Sequence, residues 1–133
     1  MLNAHTDGDS IIFFRDANVI HAGDVFFNGV YPFIDASSEG SIDGMLRAVD
    51  LILSLSNNNT RIIPGHGPMA NRRDLNNYRK MLLTVRDRIK DLMNDGKTLN
   101  EIIELKPNTD LDETWGQGFL NPEKFLRVLH SVI

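Results

Sequence analysis

Cysteine is absent from this 133-residue chain. That excludes disulfides and thiolate-based zinc sites, so any metal must be held by His, Asp or Glu. Histidine is scarce as well: His5, His21, His66 and His130 are the whole supply. No apolar run approaches the length of a membrane span. The N-terminal region lacks the apolar stretch of a secretory signal, because Asp7, Asp9, Arg15 and Asp16 interrupt it. A reducing, cytoplasmic location is therefore expected, with no membrane partner. An excess of positive charge is also missing. With a net charge of −4 and a pI near 5.5 the chain has no electrostatic footprint of a nucleic-acid binder. The one local exception spans residues 72–97, where eight Lys and Arg face four Asp, a pattern that reads most simply as the solvated face of a helix.

What is present is ordinary for a globular protein: 41% hydrophobic and 24% charged residues, without internal repeats or low-complexity linkers. The length suits one domain, residues 1–133, strand-rich over 1–70 and helical over 71–133. Residues 9–15 (Asp-Ser-Ile-Ile-Phe-Phe-Arg) are apolar in both alternation phases and predict a strand buried on both faces. A turn at 16–18 and a returning strand at 19–22, ending at Gly23-Asp24, complete a hairpin. Residues 25–34 are aromatic and broken by Gly29 and Pro32, so a pocket-walling loop is expected there. Ser41 caps a helix from Ile42 to about Ser56, and residues 60–63 form a further strand. A long amphipathic helix over 72–94 stops at Gly96. Thr98 and Glu101 have capping-box spacing for a short helix through Leu105, ended by Pro107. Residues 108–118 read as a polar loop around Trp115, and Asn121-Pro122-Glu123 starts the last helix. The order, strand-rich then helix-rich, makes this an α/β (α+β) layered fold.

The stretch Arg61-Ile62-Ile63-Pro64-Gly65-His66-Gly67-Pro68 stands out. A β-branched run stops at a proline, and two glycines hold one histidine at the tip of a loop. Taken alone it is also what a tight strand-to-helix turn with a polar residue looks like. Two other candidate ligands lie at or beyond predicted strand ends: His5 in Ala4-His5-Thr6-Asp7-Gly8-Asp9 and Asp24 in His21-Ala22-Gly23-Asp24. Two imidazoles and a carboxylate suit zinc, iron or manganese, because the carboxylate offsets part of the cation's charge. His21 and His130, on a strand and in the last helix, read as packing or surface residues.

As an ordered set with these flanks, the motifs resemble the metallo-β-lactamase superfamily of hydrolases. In that family a His in a Gly/Ala-His-Thr segment, an Asp after a Gly at a strand end, and a His in a Pro-Gly-His-Gly loop follow one another in this order. Phe26-Phe27-Asn28-Gly29, Tyr31-Pro32-Phe33-Ile34-Asp35, Gly40-Ser41-Ile42-Asp43-Gly44, Trp115-Gly116 and Gly118-Phe119 extend the resemblance over nearly the whole chain. The family's His-x-His-x-Asp-His segment, which supplies the larger share of the ligands of a two-metal site, has no counterpart here. The resemblance implies that His5 matches a ligand of one metal, His66 a ligand of the other, and Asp24 the bridging carboxylate. Asp7 and Asp9 match positions that are structural or that support the ligands from behind.

The family fold is an αββα sandwich of two similar halves, and this sequence resembles the second half alone, one mixed sheet with helices on one face. The uncovered face then calls for a homodimer stacked sheet on sheet, or a partner that supplies the missing half. Three functional expectations follow. One is a zinc-dependent hydrolase half-domain that is inactive or weakly active until missing ligands are supplied. Another is a non-enzymatic dimeric or interaction module from a truncated gene, in keeping with Met1 just ahead of His5. The last is a two-His-one-carboxylate iron protein.

Overall fold

The first apolar run folds back on the second through a tight turn in which Asn18 takes a left-handed conformation (φ 53°) and its amide donates to Arg15 O at 3.1 Å. In a computed structural model, which describes residues 2–133, this places β1 (Ile12–Phe14) antiparallel to β2 (Val19–Phe27). The chain then crosses through α1 (Ile42–Leu55) and returns as β3 (Arg61–His66), parallel to β2 on its other side, so the sheet order is β1-β2-β3. Four helices follow: α2 (Arg72–Asn94), α3 (Leu99–Leu105), α4 (Thr109–Trp115) and α5 (Pro122–Val132). The result is an α/β layered fold with a mixed sheet.

Register decides which side chains share a face. Ile12 opposes His21, which opposes Ile63; Phe14 opposes Val19, which opposes Arg61; Phe13, Ile20 and Ile62 fall between them and point the other way. Ile20 and Ile62 are fully buried, and α1 and α2 pack against β2 on that side. The opposite face carries Ile12 and Phe14, each 52% exposed, with Val19, His21 and Ile63 half-buried beside them.

The core is one contiguous cluster, with Phe26, Met45, Val49, Tyr78, Leu82, Val85, Phe125 and Leu129 at its centre. The helices start where the sequence places caps. Ser41 Oγ accepts from Gly44 N at 3.0 Å, Thr98 and Glu101 form a reciprocal capping box, and Asn121 accepts from Lys124 N at 2.8 Å with Pro122 opening α5. Asn71 and Asp74 make a second capping box for α2.

Three local expectations are revised. Residues 9–15 do not form a doubly buried strand: only Ile12–Phe14 pair, and they form an edge strand with its outward side chains half exposed. The preceding residues are diverted into a turn, because the Asp9 carboxylate accepts from Thr6 N at 3.0 Å. β2 does not end at Ala22. Gly23 adopts φ 58°, the register with β3 shifts on both sides of it, and the strand resumes so that Val25, Phe26 and Phe27 are buried strand residues, not part of a loop. Residues 108–118 contain α4, which tertiary partners hold: Arg88 pairs with Asp110 at 2.7 Å, and Tyr31 Oη donates to Asp112 Oδ1 at 2.8 Å.

Candidate metal site

Residues 2–5 lie across the start of α1 and fix where His5 stands. Ser41 N donates to Ala4 O at 2.9 Å, Asp35 N donates to His5 O at 2.9 Å, and Asp7 N donates to Ser38 O at 2.8 Å. Gly40 and Gly44 make this approach possible, since a Cβ on either would run into the backbone carbonyls of residues 3–5. Asp35 is itself held in place. Its carboxylate accepts from Ser37 Oγ at 2.6 Å and Ser38 Oγ at 2.8 Å, and those hydroxyls hold it below the usual carboxylate range. The His5 ring, with an 18% exposed side chain, sits with Nδ1 3.8 Å from Asp9 Oδ1 and its centroid 6.0 Å from Phe33 and 6.2 Å from Phe27.

Asp24 and His66 come together from neighbouring strands. The β2 irregularity at Gly23 turns the Asp24 carboxylate toward β3, where it stands 3.3 Å from His66 Nε2. Gly65 is required there, because a Cβ at that position would overlap Asp24 Oδ1 and lie 2.7 Å from Gly23 O. His66 ends β3 and is not the tip of a free loop. Its carbonyl accepts from Asn28 N at 2.9 Å, Asn28 Nδ2 donates to Pro68 O at 2.9 Å, and Gly67 takes φ 94° directly beside Asn28 O. The His66 ring stacks on Phe27 with centroids 4.6 Å apart and planes 13° apart, and Phe119 stands 5.7 Å away. Asp24 and His66 keep side-chain exposures of 43% and 49%, so the pair faces outward.

The donor set can be tested against a metal. Two ligands at about 2.0–2.1 Å from a tetrahedral zinc lie roughly 3.3 Å apart, and the Asp24–His66 pair has that separation. These two fit as ligands of one ion. His5 flanks the same Phe27 ring with the Asp9 carboxylate 3.8 Å away, and among the described residues no three His, Asp or Glu side chains stand together as a metal-holding group. The chain therefore brings two of its three candidate ligands together, and the third stands apart.

The sequence assigns Phe27, Phe119 and Asn28 no part in this site, while Asp9 stands beside His5 as a structural or ligand-supporting residue would. The first two form its apolar floor and wall, Asn28 pins the loop after His66, and the Asp9 carboxylate stands 3.8 Å from the His5 ring. Asn28 and Phe27 sit directly before Gly29, in a stretch read as an irregular loop, so nothing in the residue pattern marked them as strand-end partners of His66. His21 lies on the open face with its Nδ1 accepting from Gly23 N at 3.1 Å, and His130 lies in α5; neither touches the site.

No family model matches the chain, and no curated protein matches it either. No helix among the described residues is long and apolar enough to cross a membrane.

Proposed function

We propose that this chain is one half of a metallo-β-lactamase-like, zinc-dependent hydrolase site, in which Asp24 and His66 hold a shared metal edge and His5 serves a second position. The observation that carries the reading is the 3.3 Å approach of His66 Nε2 to Asp24 Oδ1, imposed by Gly23, Gly65 and Gly67 and aimed outward. A zinc ion in such a site lowers the pKa of bound water and polarises a carbonyl or phosphoryl group. The chain's own residues position the ligands: Asn28 fixes the His66 backbone, Phe27 fixes its ring plane, and the Asp35 amide fixes the His5 backbone. Two converging ligands fall short of the three protein donors that a catalytic zinc commonly has, so further donors, from a second copy or from whatever supplies the missing half, complete the site. Turnover of thioester, lactam and phosphodiester probes by this chain alone should accordingly lie near background.

Equilibrium dialysis against zinc tests the site. His66→Ala and Asp24→Ala should each weaken zinc binding about tenfold or more relative to the parent. Equal zinc retention in parent and variants would remove the assignment. Iron in place of zinc in the purified protein would instead favour the two-His-one-carboxylate reading.

A second reading, a non-enzymatic module that pairs through its sheet, is favoured by a separate observation. Ile12, Phe14, Val19 and Ile63 form a contiguous apolar face with no element packed over it among the described residues. Paired copies, with zinc absent and no hydrolysis, would favour that reading over the first.

A further inference from the structure

Helix α2 carries seven cationic side chains, and they divide into two groups. Four are neutralised: Arg79 by Asp50, Arg86 by Asp43 and Asp87, Arg88 by Asp110, and Lys90 by Asp43. Arg72, Arg73 and Lys80 form no ion pair among the described residues. All three line one open cavity of about 530 Å³, shared with Asn58, Asn76 and Asn77 and with no carboxylate in its lining. Helical spacing explains the grouping. Arg72, Asn76 and Lys80 follow one i, i+4, i+8 ridge, Arg73 and Asn77 follow the next, and Asn58 faces them from the turn between α1 and β3.

Three uncompensated cations in one concavity, in a chain whose net charge is −4, repel one another until an anion enters. The donors are side chains and not the helix end. The cap amide and one first-turn amide are already engaged, with Asp74 N donating to Asn71 Oδ1 at 3.0 Å and Asn71 N donating to Asp74 Oδ2 at 3.1 Å. That reciprocal box also occupies Asp74, the acid nearest in sequence. Within the same group the buried Nε of Arg72 has no acceptor. Two guanidinium forks, one ammonium and three carboxamides together match the oxygens of a multiply charged phosphate better than they match a single carboxylate.

We propose that this cavity binds the phosphate or polyphosphate group of a small-molecule ligand. It is independent of the metal edge: Asn58 precedes β3 and His66 ends it, which separates the two by about 17 Å of strand at the usual rise. The ligand chemistry is shared by free inorganic polyphosphate and by the phosphate tail of an organic ester, and the titrations separate these sources.

The experiment is calorimetric titration of the full chain with inorganic pyrophosphate, then with a nucleoside diphosphate, at constant ionic strength. Saturable pyrophosphate binding that weakens with added salt is expected, and Arg73→Gln and Lys80→Gln should each reduce it about tenfold. Both residues are exposed, so the variants keep the core. Arg127→Gln, which removes an exposed cation paired with Glu123 on α5, should leave binding unchanged. Tighter binding of the diphosphate ester than of pyrophosphate would identify the organic source, and equal binding the inorganic one; both support the site. Absence of saturable pyrophosphate binding would overturn it, as would an equal loss in Arg127→Gln. Binding of an oligonucleotide without binding of pyrophosphate would also overturn it, in favour of a nucleic-acid surface.

Discussion

Asp24 reaches His66 only because three glycines leave room for it, and the sharpest consequence falls on Gly65. A methyl group there would meet the Asp24 carboxylate and the Gly23 carbonyl, and neither strand can yield without breaking the β2–β3 ladder. Gly65→Ala should lower stability by about 1–3 kcal/mol, as overpacking does, and should weaken zinc binding in parallel; urea unfolding and dialysis read the two effects. The candidates themselves were legible in the sequence, since His5, Asp24 and His66 each lie beside a glycine or within three residues of one. Their mutual placement was not. It depends on the left-handed Gly23 and the register shift around it, which no residue pattern announces. A second residue-scale expectation concerns base. Burial, followed by donation to Asp112, raises the Tyr31 phenol above its ordinary value, and burial raises Tyr78 likewise; Asp110 adds to the rise at Tyr31 and Arg88 opposes it. The folded chain keeps these protons where the unfolded chain loses them, from about pH 10 upward. Stability is therefore fully present below that pH and falls as pH rises through it. The urea midpoint should drop between pH 9 and pH 11, and Tyr31→Phe should lessen that drop.

Capping residues mark helix starts well, and α1, α3 and α5 begin where Ser41, Thr98 and Asn121 placed them. Helix α4 escaped notice because Asn108 makes no side-chain cap and the segment is polar; Arg88 and Tyr31 hold it from other elements, and such partners are invisible to a local pattern. The shortness of β1 has a similar cause, since Asp9 is drawn into a turn with Thr6. For α2 the capping box carries a testable weight. Asn71→Ala leaves the Asp74 amide without its acceptor and should cost about 1 kcal/mol in thermal or urea unfolding. Pyrophosphate should partly restore the stability of that variant, because a ligand that binds only the folded state adds to stability.

The molecule as a whole is a layered fold with helices over one face of its sheet. The alternation of 11–14 correctly announced apolar side chains on both faces, but only pairing settles that Ile12 and Phe14 point away from the helices while Phe13 points toward them. Under the proposed function this apolar sheet face packs on a second sheet, and about 800 Å² buried per partner is enough for a stable specific pair. Covering it with a second copy, stacked about 10 Å away, completes the layers that the proposed site needs. Ile12→Lys should separate the copies and leave helix content nearly unchanged, whereas Phe13→Lys should unfold the chain; circular dichroism distinguishes the two. Equilibrium sedimentation of the unaltered chain at micromolar concentration tests this most directly. A dimer that Ile12→Lys converts to a monomer is the expected result, and a monodisperse monomer with no apolar surface accessible to dye would contradict the sheet-to-sheet pairing.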